Sequence, residues 1–92
     1  MKLQIKVNSV ANDCEYGGKQ VIPAEKGEYL LDEIFRLPFF RIIIDDIIDG
    51  NLCFRLMEGG ASHFFVLNAE DKTAEFHRDT SLGEDNFTFE LI

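Results

Sequence analysis

Ninety-two residues allow one domain, and a chain of this size buries only about 60–65% of the surface its unfolded form exposes, so a single core is all it can build. Hydrophobic residues make up 46%, nine Phe among them, which suffices for that core and excludes a disordered chain. Seventeen acids against nine bases leave a net charge of −8, which excludes a nucleic acid or an anionic membrane surface as partner.

The excess acid is lopsided. Residues 1–40 carry five bases against six acids and residues 41–92 four against eleven, a net of −1 and −7. The richest apolar run, Phe39 to Ile48, is broken by Arg41, Asp45 and Asp46 and is no membrane span. Met1 to Lys6 alternates polar with apolar residues, where a signal peptide needs an unbroken apolar stretch, so the expected compartment is the cytoplasm. Cys14 and Cys53 belong to no CxxC pair and sit beside no histidine; both read as free thiols.

Leu3, Ile5 and Val7 alternate with Lys2, Gln4, Lys6 and Asn8, which predicts a strand over 2–10 with one face buried. Asn12-Asp13 and Gly17-Gly18 then read as a polar loop, and Lys19 to Ile22 as a short second strand stopped by Pro23. Leu30, Leu31, Ile34 and Phe35 form a helical stripe, so a helix is expected over 28–37, ended by Pro38. The order of strand, loop, strand and helix resembles the opening of ubiquitin-like folds; the strands that follow depart from that pattern, and the resemblance implies no function.

From Phe39 the chain reads as an antiparallel meander. Asp49-Gly50 signals a tight hairpin between strands at 40–48 and 51–57. Glu58 to Ser62 turns into a strand at 63–67, Asn68 to Lys72 into one at 73–78, and a polar loop at 79–86 leads to a last strand ending at Leu91. The expected fold is therefore α+β and mainly β: about seven antiparallel strands with one short helix packed on the sheet. A β-sandwich or partial barrel is the alternative, because Ile43-Ile44, Ile47-Ile48 and Phe64-Phe65 make strands apolar on both faces.

If strands 63–67 and 73–78 pair across their five-residue turn, with Phe64, Val66, Ala74 and Phe76 in the core, His63 comes to lie opposite His77. Glu75 then shares their face, and two imidazoles with a carboxylate suit Zn²⁺ or Fe²⁺. Asp45, Asp46, Asp49 and Asn51 imitate a calcium loop, but Ile47 and Leu56 stand where ligands belong, so the motif fails. One of Asp45 and Asp46 instead points at a covered face and needs a donor, for which Arg55 on the next strand is placed. No phosphate loop or nucleophile elbow is present, and no enzyme or organic cofactor is expected. Phe39-Phe40 and the aliphatic surplus read as core, or as an exposed apolar patch or edge strand for self-association or partner binding.

The leading functional expectation is a non-catalytic interaction or inhibitor module whose acidic half meets a basic protein. Asp45, Asp46, Asp49, Glu70, Asp71, Asp79, Glu84 and Asp85 are its candidate partner-binding residues. A small metal-binding domain built on His63, Glu75 and His77, and a structural homo-oligomer, are the alternatives.

Overall fold

Period-two alternation of apolar residues governs most of the chain, and it ends in two sheets rather than one. A computed structural model describes residues 1–31 and 40–92. The strands are β1 (Lys2–Ala11), β2 (Cys14–Pro23), β3 (Gly27–Leu30), β4 (Phe40–Ile48), β5 (Asn51–Glu58), β6 (Ala61–Leu67), β7 (Thr73–Asp79) and β8 (Gly83–Leu91). One sheet has the order β2-β1-β8-β7 and the other β3-β4-β5-β6, every pairing antiparallel.

The inward side chains interleave between the sheets. Leu3, Ile5, Val7, Phe87 and Phe89 come from the first; Phe40, Ile42, Ile44, Leu52, Phe54, Leu56 and Leu67 come from the second. Phe54 meets Phe89 with ring centroids 5.1 Å apart, and Phe40 meets Phe87 at 4.9 Å, so β8 lies across β4 and β5. The apolar residues on two strand faces thus find their first cover in a second sheet.

The expected helix is overturned. Glu28, Tyr29 and Leu30 belong to β3 and pair with Ile43, Ile42 and Arg41 of β4. Leu30 is exposed and Leu31 fully buried, the alternation of a strand rather than a shared helical stripe. A ten-residue helix is marginal on its own, and the β4 ladder claims its first residues. Residues 32–37 of that expectation lie outside the described residues, as does Phe39; among the described residues there is no helix.

Two expected loops are in large part strand. Asn12 and Asp13 both take positive φ, 51° and 62°, and close a two-residue turn between Ala11 and Cys14. The Gly17-Gly18 pair then lies within β2, because a Cβ on Gly17 would sit 2.0 Å from the Val7 carbonyl oxygen. Gly83 begins β8 in the same kind of close approach, 1.8 Å from the Val10 oxygen for an added Cβ, so the polar loop shrinks to 80–82. Turn residues here serve to bring strands together.

A β-bulge resolves the paired aspartates. The β4–β5 register steps from Ile44↔Phe54 to Asp46↔Cys53, leaving Asp45 as the extra residue. Cys53 lies on the outward face of β5, so Asp46 faces outward too, and neither aspartate enters the core. Asp45 binds Arg55 in a forked pair, with contacts of 2.6, 2.9 and 3.0 Å, on the outer face of the sheet.

Candidate functional site

The outer face of β7 and β8 collects acid. With Phe87 and Phe89 inward, Glu84, Asn86, Thr88 and Glu90 must point out. With Ala74, Phe76 and Arg78 inward, Thr73, Glu75, His77 and Asp79 point out beside them. The register sets Glu90 against Thr73, Thr88 against Glu75, Asn86 against His77, and Glu84 against Asp79. Four carboxylates and one histidine therefore share one two-strand surface that carries no Lys or Arg. On the same sheet, Lys6 and Lys19 face each other across β1 and β2, so the face is acidic on one half and basic on the other.

His77 is the centre of that surface. Its Nδ1 lies 2.6 Å from Asn86 Oδ1 and 3.8 Å from Glu84 Oε2, and its Nε2 lies 3.0 Å from Asp79 Oδ1. A neutral imidazole has one N–H and can donate to only one of those oxygens; the imidazolium donates to both. The Asn86 hydrogen bond first, and then Asp79, raise the pKa above the ordinary 6.5. Because the folded value is the higher one, His77 adds stability below its unfolded pKa of about 6.5, and loses it as pH climbs through the folded value. A ring-proton NMR titration should place the His77 midpoint above the ordinary value and bring it down in Asn86→Ala. A midpoint at or below the ordinary value would contradict this geometry.

One donor atom each from His77, Asp79 and Glu84 lies within 4.8 Å of the others. The same oxygens favour the protonated ring, and protonation competes with any metal for the imidazole nitrogen. The expected trio of His63, Glu75 and His77 is not assembled. β6 pairs with β5 and β7 with β8, so the 63–67/73–78 hairpin does not form. His63 points inward with Phe65 and Leu67, where its ring lies 4.4 Å from Phe76, whereas Glu75 and His77 point out. Phe64 and Val66 take the outer face that the expected register denied them.

A second polar cluster closes one end of the sandwich. Ser9, Asp85 and Arg78 stand side by side across β1, β8 and β7, each with core parity, where the aromatic layer stops. Arg78 Nε donates to Asp85 Oδ2 at 2.7 Å, its Nη1 donates to Glu58 Oε1, and its guanidinium lies 4.7 Å over the Phe40 ring. Glu58 Oε2 is 3.4 Å from His63 Nε2. The chain His63–Glu58–Arg78–Asp85 thus bridges the two sheets. Beside it opens a cleft of about 210 Å³ lined by Val10, Ala11, Arg78, Thr80, Leu82 and Asp85. Arg78 already faces two carboxylates, so among the described residues the cleft holds no free cation for an anionic ligand.

The expected partner-binding acids divide by environment. Asp45 and Asp85 are held by Arg55 and Arg78, and Asp46 lies 3.6 Å from Lys26. Asp49 and Glu70 line a shallow cleft of about 310 Å³ between the β4–β5 and β6–β7 turns, with Asp71 beside it, its N–H donated to Asn68 Oδ1. Asp79 and Glu84 belong to the His77 face. Glu75 and Glu90 complete that face. Glu75, the expected metal ligand, and Glu90, which no sequence motif marks, are both placed there by strand parity alone. Cys14 and Cys53 are free, and no described Ser, Thr or Cys is hydrogen-bonded to a histidine. No described helix is long and apolar enough to cross a membrane. No known protein family, curated protein or solved structure matches this chain.

Proposed function

We propose that the protein is a non-catalytic binding module whose β7–β8 face meets a basic surface of a protein partner. One observation carries this reading: Glu75, Asp79, Glu84 and Glu90 share that face with no Lys or Arg among them. Such a face gains by steering a basic partner into contact and by matching its charge, and both gains are screened by salt. The opposite half of the sheet, with Lys6 and Lys19, orients the approach. Protonation of His77 adds a positive charge to the acidic face, so binding weakens as pH falls through its raised pKa.

A pull-down from host lysate with parent protein and a Glu75→Lys/Glu84→Lys variant tests the reading. The parent should retain a basic partner at about 50 mM salt and lose most of it at about 500 mM, where the Debye length has shrunk roughly threefold. The double variant should lose it at both. A partner whose retention ignores both salt and the double substitution, or no partner at all, refutes the proposal.

A further inference from the structure

Four strands end the two sheets: β2 and β7 in one, β3 and β6 in the other. Outer strands present unpaired N–H and C=O groups, and proteins guard them with charge, proline, bulges or shortness. β2 carries Glu15, Lys19 and Pro23; β7 carries Glu75, Arg78 and Asp79; β3 is four residues long. β6 has none of these guards. It is seven residues long, and no Asp, Glu, Lys or Arg occurs from Gly59 to Ala69. Two of its outward side chains, Phe64 and Val66, are 71% and 53% exposed.

Its free backbone groups belong to the same residues. The two-residue turn Gly59-Gly60 closes on the pair Glu58↔Ala61, and such a turn closes on a hydrogen-bonded pair. Alternation along the antiparallel ladder then turns the N–H and C=O of Ser62, Phe64 and Val66 away from β5. The strand offers main-chain donors and acceptors together with an apolar pair of side chains.

We propose that β6 pairs antiparallel with β6 of a second copy of this chain across a two-fold axis, joining two four-stranded sheets edge to edge. Charge selects a second copy. In a chain of net −8, β6 carries no Asp, Glu, Lys or Arg, so two copies approach along it without setting acid directly against acid. A basic partner gains nothing there. The strand is also self-complementary. An axis through Phe65 sets Phe64 of each copy opposite the partner's Val66, which makes two aromatic–β-branched pairs on the outer face. The ladder bonds then run between the outward N–H and C=O groups of those residues, as an isologous interface requires. Arg55, 5.7 Å from the Phe64 ring, flanks each pair.

This contact and the acidic face respond oppositely to salt, so the two proposals fail separately. Salt screens the net repulsion between the two acidic bodies and leaves apolar and main-chain contacts in place. Sedimentation equilibrium of the parent under reducing conditions, from about 1 to 200 µM, should show a dimer whose fraction rises with concentration and holds or rises in about 0.5 M salt, where the Debye length is roughly a third of its value at about 0.05 M. Phe64→Lys places charge on the strand, and Val66→Pro removes an outward N–H without breaking the β5 ladder; both should sediment as monomers. Leu82→Lys, at an exposed apolar residue away from β6, should dimerise like the parent. Should Val66→Pro lose the native circular-dichroism spectrum, Val66→Lys carries the same comparison. A parent that is monomeric throughout, a dimer dissolved by salt, or one that survives substitution at position 66 overturns the proposal.

Discussion

Replacing Arg78 with Met should destabilise the protein by about 2–4 kcal/mol, somewhat below the roughly 3–5 kcal/mol of breaking a fully buried ion pair, because Arg78 and Glu58 keep some contact with water. The Asp85 side chain is only 6% exposed and takes its charged hydrogen bond from Arg78. Without the guanidinium, that carboxylate is left without its countercharge at the end of the apolar layer, and the Phe40 ring loses the cation over its face. Glu58 keeps His63 as a neighbour but loses its link to the opposite sheet. Urea unfolding should show the midpoint falling, and the double variant Arg78→Met/Asp85→Leu should recover part of the loss, since removing both charges removes the unpaired one. If Arg78→Met costs under about 0.5 kcal/mol, the ordinary scale of a surface substitution, the Glu58–Arg78–Asp85 cluster does not hold the sheets together.

Half of that cluster is readable from parity. Once Phe76 is inward, Arg78 two residues on must be inward as well, whereas Asp85 falls on the same side as Phe87 only because β8 reaches back to Gly83, into the expected loop. The antiparallel character and the Asp49-Gly50 hairpin were equally legible, because alternation and turn chemistry are local. The helix was not. Leu30 and Leu31 suit a helical stripe and a strand pair alike, and only the ladder offered by β4 decides between them. The bulge at Asp45 is invisible in the same way: the sequence shows two adjacent aspartates in an apolar strand, but not which residue is left out of register.

The histidine pair failed on a single assumption. It required sequence neighbours β6 and β7 to be spatial neighbours in one sheet, and a five-residue turn allows either a hairpin or a crossing between layers. The crossing puts β6 beneath β7 and reverses which Phe of the Phe64-Phe65 pair faces the core. One shift of parity moves a metal site, a core residue and an exposed patch at once. The acidic face depends instead on β7 and β8 being joined by a short turn and paired in the register their own alternation demands, and of its four carboxylates only Asp79 and Glu84 are among the partner-binding residues expected from the sequence.

The same parity decides the second large effect. Phe54→Ala should cost about 3–5 kcal/mol, the usual range for removing a fully buried aromatic ring. Its ring is wholly buried and touches Phe89 of the opposite sheet at 5.1 Å and Phe65 of its neighbour strand at 5.4 Å. The cavity therefore opens between the layers, where neither sheet can collapse without shifting a whole ladder. At about 4–8 °C of melting temperature per kcal/mol for a domain of this size, the midpoint should fall by tens of degrees. Phe65→Ala removes a partly buried ring that packs on Phe89 at 5.0 Å and should cost roughly 1–3 kcal/mol, between the surface and core ranges. Phe64→Ala, next to it in sequence, should lie within about 0.5 kcal/mol of the parent at concentrations too low for association, since that side chain is already in water. The order 54, then 65, then 64 in loss of stability is what two interleaved sheets require. If Phe64→Ala proves costlier than Phe65→Ala in the dilute protein, β6 faces the other way, and the outward strand surface assigned to it is not there.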